Sequence, residues 1–424
     1  MRVLRGLPIL RLTGTIVFLV GIIAVEGGCS TNPFSDTFDK QQTKLTKGPF
    51  LLGVYQNRAA LMWETETEGA CELHYGGDWE LDKFVKSAPQ VHQYGEDEAK
   101  TVFIHKVWLE DLEPGRLYDY RVTGPGFEDK IYRFRTVPVK TDRVSFIVYG
   151  DSRSRPSVHR RLVKQIIKKK VDFIVHSGDL VTDGDKYEQW GPQFFEPLKG
   201  LAERVPVYIA KGNHEGDNGN FEKLLVPEGR RNSFGFDYGP VHYFCADNVS
   251  EGLKDAAQLD LIVADARASG AEWKFVSYHV PSLNIGGHWS AWAYPDALPE
   301  LSKAGVDFVL SGHSHFYERF RAVAPPQNAD GSYVTYVTSG GGGAYMHQIR
   351  PNAYHAAAKK EHHFCLFDIK GEKLTMDTVD IDGRVIDHIE LVKKAGGPDK
   401  KYLRSAVPME EILEFQRMNL DRQN

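Results

Sequence analysis

The chain has 424 residues, and its 42% hydrophobic and 12% aromatic content excludes a disordered protein and allows two domains with ample core. Its net charge of -5 comes from interspersed acidic and basic residues, so nucleic-acid binding is not expected. Four cysteines are too few for a disulfide scaffold in a chain of this length. Cys71, Cys245 and Cys365 lie in or beside apolar runs, and we expect them to be buried.

Residues 1–29 have the pattern of an export signal. Three arginines precede a charge-free apolar run at residues 12–25, which is short for a membrane span but has the length of a secretory signal core. Small residues follow, and the pattern resembles a bacterial lipoprotein signal in which Cys29 would be lipidated and tether the protein to a membrane. Glu26 departs from that pattern, so an ordinary cleaved signal and an uncleaved anchor remain alternatives. We predict an exported protein of the cell envelope, periplasm or extracellular space, with residues 30–47 as a polar linker.

Residues 48–139 have the short alternating runs of an all-β domain, separated by Gly, Asp and Asn. The segment 109–122 resembles the turn and strand of a fibronectin type III sandwich, in which a Pro-Gly turn leads into a strand that carries tyrosines. Trp63 would then be the buried tryptophan of that sandwich. No residue here suggests catalytic chemistry, so we expect Trp63, Trp108, Tyr118 and Tyr120 to contribute to packing.

Residues 143–394 alternate between predicted strands and helices, and a charged helical tail follows at residues 395–424. The run at 144–149 is almost continuously apolar, which is typical of a strand buried on both faces. Helical periodicity predicts helices at residues 157–170, 190–203 and 255–268. The predicted fold is therefore α/β, with central β-sheets flanked by helices and a small all-β sandwich in front.

Five apolar runs of this region end in residues that can bind metal ions. In chain order the ends are Gly150-Asp151, Gly178-Asp179, Gly212-Asn213-His214-Glu215, His279 and Gly312-His313-Ser314-His315. Each end taken alone is typical of a turn or a helix cap. Because the carboxyl ends of parallel strands form the ligand crevice of an α/β sheet, their joint occurrence predicts one metal site.

This series is similar to that of the calcineurin-like metallophosphoesterase superfamily, and the all-β domain in front resembles the purple acid phosphatase branch. Residues 315–319 and 339–344 also match later segments of that branch. The resemblance implies an enzyme that hydrolyses phosphomonoesters by attack of a metal-bound hydroxide at a dinuclear site. The two ions would be Fe, Mn or Zn, and ligand chemistry alone does not select among these and Ni.

The resemblance also implies a role for each residue of the series. Asp179 would bridge the two ions, and Asp151 and His315 would belong to the first site. The second site would be completed by Asn213, His279 and His313. His214 would position the phosphate and help to protonate the leaving oxygen.

The first site departs from the family pattern at two positions. Thr182 stands where purple acid phosphatases have a tyrosine ligand, and Arg153 stands where the wider superfamily has a histidine. Water, Asp183 or Asp185 could complete the site, and the purple charge-transfer colour is not expected. Arg153 is predicted to present its guanidinium group to a substrate phosphate, with a surface salt bridge as the alternative.

His288, in a glycine-rich loop after the fourth motif, is predicted to be a second substrate-binding residue. The expected partner is a small phosphate ester, and the sequence does not define the oligomeric state. A phosphodiesterase or nucleotide hydrolase on the same fold is the first alternative function. A non-catalytic binding or adhesion module, with the fibronectin-like domain as its working part, is the second.

Overall fold

The computed structural model describes residues 45–124, 127, 130–251, 256–286, 288, 290–293, 295–327, 330–394, 397–398 and 405–421. The predicted export signal, Cys29 and the linker up to residue 44 lie outside these residues. Among the helices of the described part, none is both long and apolar enough to cross a membrane. Cys71, Cys245 and Cys365 are all buried, as predicted, and none of the three forms a disulfide.

An all-β sandwich comes first in the described chain. Its strands are β1 (Leu45–Val54), β2 (Ala59–Thr65), β3 (Cys71–Gly76), β4 (Lys83–Ser87), β5 (Gln90–Tyr94), β6 (Lys100–Leu109), β7 (Leu117–Thr123) and β8 (Tyr132–Arg135). They form two antiparallel sheets in the orders β1-β2-β6-β5 and β4-β3-β7-β8. Trp63 lies in the shared core with no exposed surface, and its ring stacks on His105 at 5.0 Å. The all-β region is confirmed, and its fibronectin type III assignment stays a prediction.

The remaining strands build the α/β part of the chain. They are β9 (Arg143–Tyr149), β10 (Phe173–His176), β11 (Val207–Ile209), β12 (Phe234–Tyr238), β13 (Val241–Cys245), β14 (Trp273–Ser277), β15 (Phe308–Ser311), β16 (Tyr317–Phe320), β17 (Thr335–Ser339), β18 (His355–Lys359), β19 (His363–Lys370), β20 (Lys373–Asp380), β21 (Val385–Lys394) and β22 (Gly397–Pro398). The α-helices are α1 (Pro156–Ile166), α2 (Asn220–Leu225), α3 (Ala256–Ala268), α4 (Ala297–Lys303) and α5 (Met409–Asp421).

Two seven-stranded sheets pack face to face at the centre of this part. Their strand orders are β11-β10-β9-β19-β20-β21-β22 and β12-β13-β14-β15-β17-β16-β18. Strands β9 to β11 run parallel in the first sheet, and β13, β14, β15 and β17 run parallel in the second. Phe146 of one sheet meets Phe275 of the other edge to face at 5.1 Å. Helix α1 packs outside the first sheet, and α3 and α4 pack outside the second. The predicted fold class is confirmed.

The sandwich and the first central sheet share one hydrophobic core. Phe50 and Met62, on the sandwich, are buried together with Phe194 of the α/β part. The backbone N–H of Leu51 donates to the carbonyl of Ala202 at 2.9 Å. The sandwich is therefore packed directly against the α/β part.

Residues 190–203 do not form the regular helix that their periodicity predicts. Gly191–Phe195 is a π-helical turn, in which the N–H of Glu196 donates to the carbonyl of Gly191 at 2.9 Å, and turns follow. Proline at positions 192 and 197 removes two backbone donors, and proline within a helix also clashes with the preceding turn. The apolar residues still face the core, which explains why the pattern alone was misleading.

The C-terminal helix α5 is docked on the second sheet. Ile412 has no exposed surface and belongs to the core that contains α3 and α4. Gln416 is also fully buried, accepts a hydrogen bond from the N–H of Asn284 at 2.9 Å and donates one to the carbonyl of Ser282 at 2.9 Å. Asn284 in turn donates from its side chain to the carbonyl of His288. The tail thus supports the loop that carries a predicted substrate-binding residue.

Candidate metal centre

The strand-end motifs meet at the carboxyl edges of the two central sheets. Asp151 and Asp179 follow the neighbouring parallel strands β9 and β10, and His279 and His313 follow β14 and β15. Asp151, Asp179 and His313 have φ angles of 58°, 59° and 67°, in the left-handed region that non-glycine residues seldom adopt. Strained backbone of this kind is concentrated at functional sites, where surrounding contacts hold it in place.

Two glycines allow these loops to approach one another. Gly178 has φ of 95°, and a Cβ atom there would lie 2.7 Å from the backbone of Gly212. A Cβ atom on Gly212 would lie 2.5 Å from Oδ1 of Asp179. Glycine at both positions therefore lets the carboxylate sit directly against the next loop.

The residues predicted for the second site lie together. Oδ1 of Asn213 lies 3.0 Å from Nε2 of His279 and 3.0 Å from Nδ1 of His313. Nε2 of His279 lies 3.2 Å from Oδ1 of Asp179. Ligand atoms at adjacent corners around an ion with bonds of about 2.1 Å are separated by about 3.0 Å, so this group has the spacing that a metal ion requires.

The tautomer of His279 makes this group a cation site. Its Nδ1–H donates to the carbonyl of Ser177 at 2.8 Å, which turns Nε2 toward the oxygens of Asp179 and Asn213. Burial opposes a charge on His279, but Asp179 and Asp151 raise the pKa of the imidazole to about 9. Without a bound ion, the positive charge at this place is a proton on Nε2 of His279, which donates to Asp179, and a metal ion that replaces the proton would be held by the same three side chains. The residues of the second site therefore fit a metal ion.

Asp179 is the ionised centre of the arrangement. Although its burial opposes ionisation, the charge and hydrogen bond of His279, with His214 and Arg153, hold the pKa of Asp179 well below its usual range. One ligand atom from each of Asp151, Asp179 and His279 lies within 4.8 Å of the others. Asp179 can therefore contribute to both of the predicted sites.

Arg153 lies among the residues predicted for the first site. Nε2 of His315 is 3.3 Å from Oδ1 of Asp151, because Nδ1–H of His315 donates to the carbonyl of Tyr345 at 2.8 Å. The Arg153 guanidinium donates from Nε to Oδ2 of Asp179 at 3.1 Å and from Nη2 toward Nε2 of His315 at 3.4 Å. A guanidinium group thus contacts two of the three residues predicted to hold the first ion.

His214 lies beside Asp179. Its backbone N–H donates to Oδ1 of Asp179 at 3.0 Å, and its Nδ1–H donates to the carbonyl of Thr182 at 2.7 Å. These bonds turn Nε2 toward Oδ2 of Asp179, at 3.9 Å, while about a third of the side chain stays exposed. An exposed nitrogen beside a charged centre is suited to exchange a proton with a bound molecule.

His288 and His347 form the rim of the centre. The ring of His288 lies 4.8 Å from that of His313 and 4.3 Å from that of His347, which stacks on His315 at 3.9 Å. Burial and the nearby His315 lower the pKa of both rim histidines, that of His347 to about 3. Sequence reasoning missed His347, because no motif marks it.

Glu215 was part of the third motif, but sequence reasoning gave it no role. Its carboxylate accepts hydrogen bonds from the N–H groups of Asp179 at 2.8 Å, Leu180 at 2.7 Å and Gly212 at 2.7 Å. Burial and the charge of Asp179 raise the pKa of Glu215 to about 7, although these donors oppose the shift. Glu215 fixes two of the ligand loops relative to each other. Its place beside Asn213 and His214 was the available signal.

Known proteins share this architecture. The sequence model of the family described as Calcineurin-like phosphoesterase matches residues 144–317. The chain is 30% identical over 261 residues to Purple acid phosphatase 21 of Arabidopsis thaliana, which covers 57% of this chain and 58% of that protein. It is 24% identical over 319 residues to Probable inactive purple acid phosphatase 1 of Arabidopsis thaliana, and this match covers 59% of this chain and 51% of that protein. The chain thus spans little more than half the length of these relatives.

A solved structure shows the same fold. The purple acid phosphatase isolated from yellow lupin seeds superimposes with a TM-score of 0.66 at 19% identity, over 85% of this chain and 76% of that one. Residues 144–317, which the Calcineurin-like phosphoesterase model matches, contain all five strand-end motifs. Over part of its length the chain is similar in sequence to purple acid phosphatases, and its fold is similar to that of the yellow lupin enzyme.

Proposed function

We propose that the chain is an exported, metal-dependent phosphoesterase that hydrolyses phosphomonoesters. The observation that carries this proposal is the second site, where Nε2 of His279 lies 3.0 Å from Oδ1 of Asn213 and 3.2 Å from Oδ1 of Asp179. Asp, Asn and His suit Fe, Mn and Zn, which leaves the identity of the metal to experiment. The family match and the phosphatase names of the relatives support phosphate esters as the substrate class.

The residues of the site would divide the work of hydrolysis. A bound metal ion would polarise the phosphoryl oxygen and lower the pKa of a water molecule so that hydroxide is available near neutral pH. Asp179, Asn213, His279 and His313 would hold that ion. The oxygen of the water forms the new bond to phosphorus, the ester P–O bond breaks, and the leaving oxygen takes up a proton.

His214 is the group placed to supply that proton. Because its Nδ1–H is committed to the carbonyl of Thr182, the proton given to the leaving oxygen must come from Nε2 of the imidazolium form. Its partial exposure allows it to be reprotonated from solvent after each turnover. Arg153 and His288 are proposed on the substrate side, with the guanidinium of Arg153 directed at phosphate oxygens.

The sequence predicts two ions, with Asp179 as the bridge and Asp151 and His315 in the first site. That prediction depends on the first site, where Arg153 contacts both Asp179 and His315. The second site does not share this complication, and the proposed activity requires only that one activating ion is held there.

The test is hydrolysis of a chromogenic phosphomonoester beside the matching diester. Purified protein is stripped of metal and reloaded with Mn²⁺, Zn²⁺ or Fe²⁺, and Asp179→Asn is compared with Asp260→Asn, which alters an exposed aspartate of α3. We expect metal-dependent turnover that falls by about 100-fold or more in Asp179→Asn and is unchanged in Asp260→Asn.

Each result of this test separates the alternatives. Preference for the diester would favour the phosphodiesterase or nucleotide hydrolase instead of the phosphomonoesterase. Folded protein with no turnover under any metal would contradict the enzyme proposal and favour a binding or adhesion module. Export and lipidation are tested separately, by the mass and the first residue of the mature protein, where a lipidated Cys29 is the predicted tether.

A further inference from the structure

The guanidinium group of Arg153 occupies the surroundings that the first ion would need. Nε donates to Oδ2 of Asp179, and Nη2 points at Nε2 of His315. Since Nδ1–H of His315 is bonded to the carbonyl of Tyr345, the Nε2 lone pair is the one available to a metal ion. That lone pair already faces a cation. The residues present therefore do not fit a first ion beside Arg153.

The neighbouring residues do not supply replacement ligands. The hydroxyl of Thr182 donates to Oε1 of Gln193 at 3.0 Å and contacts the hydroxyl of Ser154 at 3.1 Å. Asp183 pairs with Lys186 at 3.0 Å, and 38% of its side chain is exposed. Asp185 is exposed and its Oδ1 lies beside Gly216, so neither aspartate that the sequence offered completes the first site. Arg153, in contrast, is held in place, with only 16% of its side chain exposed.

An arginine at this position performs part of the task of a metal ion. Its positive charge is permanent, because a guanidinium group stays protonated in proteins. Of its five N–H donors, three are directed at Asp179, His315 and Ser154. Within the described part of the chain, no side-chain hydrogen bond of Arg153 beyond these three is found, which leaves two N–H donors for a phosphate oxygen.

We propose that this chain has a mononuclear centre, in which Arg153 replaces the first metal ion as the second positive charge on the substrate phosphate. This inference rests on the proposed function, because it assigns one activating ion to the second site. Asp179 is then shared between an ion and a guanidinium group. Asp151 and His315 hold Arg153 and the surrounding loops instead of a second ion.

The experiment is the number of metal ions bound per chain. The full chain is stripped, titrated with Mn²⁺, freed of excess ion and measured by elemental analysis together with protein concentration. Arg153→His restores the residue type found at this position in the wider superfamily. Arg231→His, at an exposed arginine, is the matched control for an added histidine.

We expect one ion per chain in the wild-type protein and in Arg231→His, and two in Arg153→His. Electron paramagnetic resonance gives an independent readout, with the spectrum of isolated Mn²⁺ in the wild type and that of an exchange-coupled pair in Arg153→His. Asn213→Ala should lose the single ion, which places it in the second site.

Three results would overturn the inference, and each has a different meaning. Two ions in the wild-type protein would show that Arg153 does not exclude the first ion, and this holds even if Arg153→His does not fold. One ion per chain in a folded Arg153→His protein would show that Arg153 is not what limits the chain to a single metal ion. No bound ion in the wild type would instead overturn the proposed function itself.

Discussion

The carboxylate of Glu215 ties the second and third ligand loops together, so its replacement tests how the centre is built. In Glu215→Gln, the remaining oxygen can still accept from the N–H groups of Asp179 and Gly212. The new amide then faces the N–H of Leu180, donor against donor, in a fully buried place. Loss of charge-assisted bonds and one unsatisfied donor together cost about 2–4 kcal/mol.

This cost should appear in thermal unfolding. For a domain of this size it corresponds to a fall in Tm of roughly 5–10 °C. The assay is circular dichroism melting of metal-free protein at about pH 8.5, above the raised pKa of about 7, so that the wild-type Glu215 is ionised and metal affinity does not enter the comparison. Glu110→Gln, at an exposed residue, is the control and should melt with the wild type. A Glu215→Gln protein that melts within about 1 °C of the wild type, which is about the error of such a measurement, would refute this account of the loops.

Two further predictions concern groups outside the metal ligands. Burial opposes the charge on His242, but Asp237 and Asp265 raise its pKa from 6.5 to about 9. The charged imidazole therefore stabilises the fold fully below pH 6.5, and this stabilisation is lost as the pH rises through 9. His242→Gln should lower the free energy of unfolding by about 2 kcal/mol at pH 6, after a discount for the exposed Asp237, and by much less at pH 10. If urea titrations gave the same loss of unfolding free energy at both pH values, the proposed charge on His242 would be contradicted. Gln416→Ala should lower the free energy of unfolding by about 2–3 kcal/mol, because it leaves the N–H of Asn284 without its partner. It should also speed limited proteolysis between residues 282 and 290, and cleavage there at the wild-type rate would contradict the role of that contact.

The fold and the strand-end residues were accessible from sequence for a physical reason. Apolar runs identify buried strands, and parallel strands bring their carboxyl ends to one edge. Asp151, Asp179, Asn213, His279 and His313 therefore needed no tertiary information to be grouped together. The resemblance to a known family then gave each residue an expected role.

The remaining features depend on contacts that periodicity does not encode. Residues 190–203 present the same apolar spacing whether they form an α-helix or a π-turn followed by turns. Gln416 binds residues 132 and 134 positions away along the chain, so no local pattern marks it. Arg153 was predicted on the substrate side, whereas its contacts with Asp179 and His315 became visible only in three dimensions.

The central claim is that the ends of β10 and β14, with the loops after β11 and β15, hold a metal ion. A crystal grown with Mn²⁺ and measured with X-rays at the absorption edge of manganese tests it most directly. We predict an anomalous peak within coordination distance of Asp179, Asn213, His279 and His313. A map with no peak there at saturating Mn²⁺, or with its peak bound by other residues, would contradict the account.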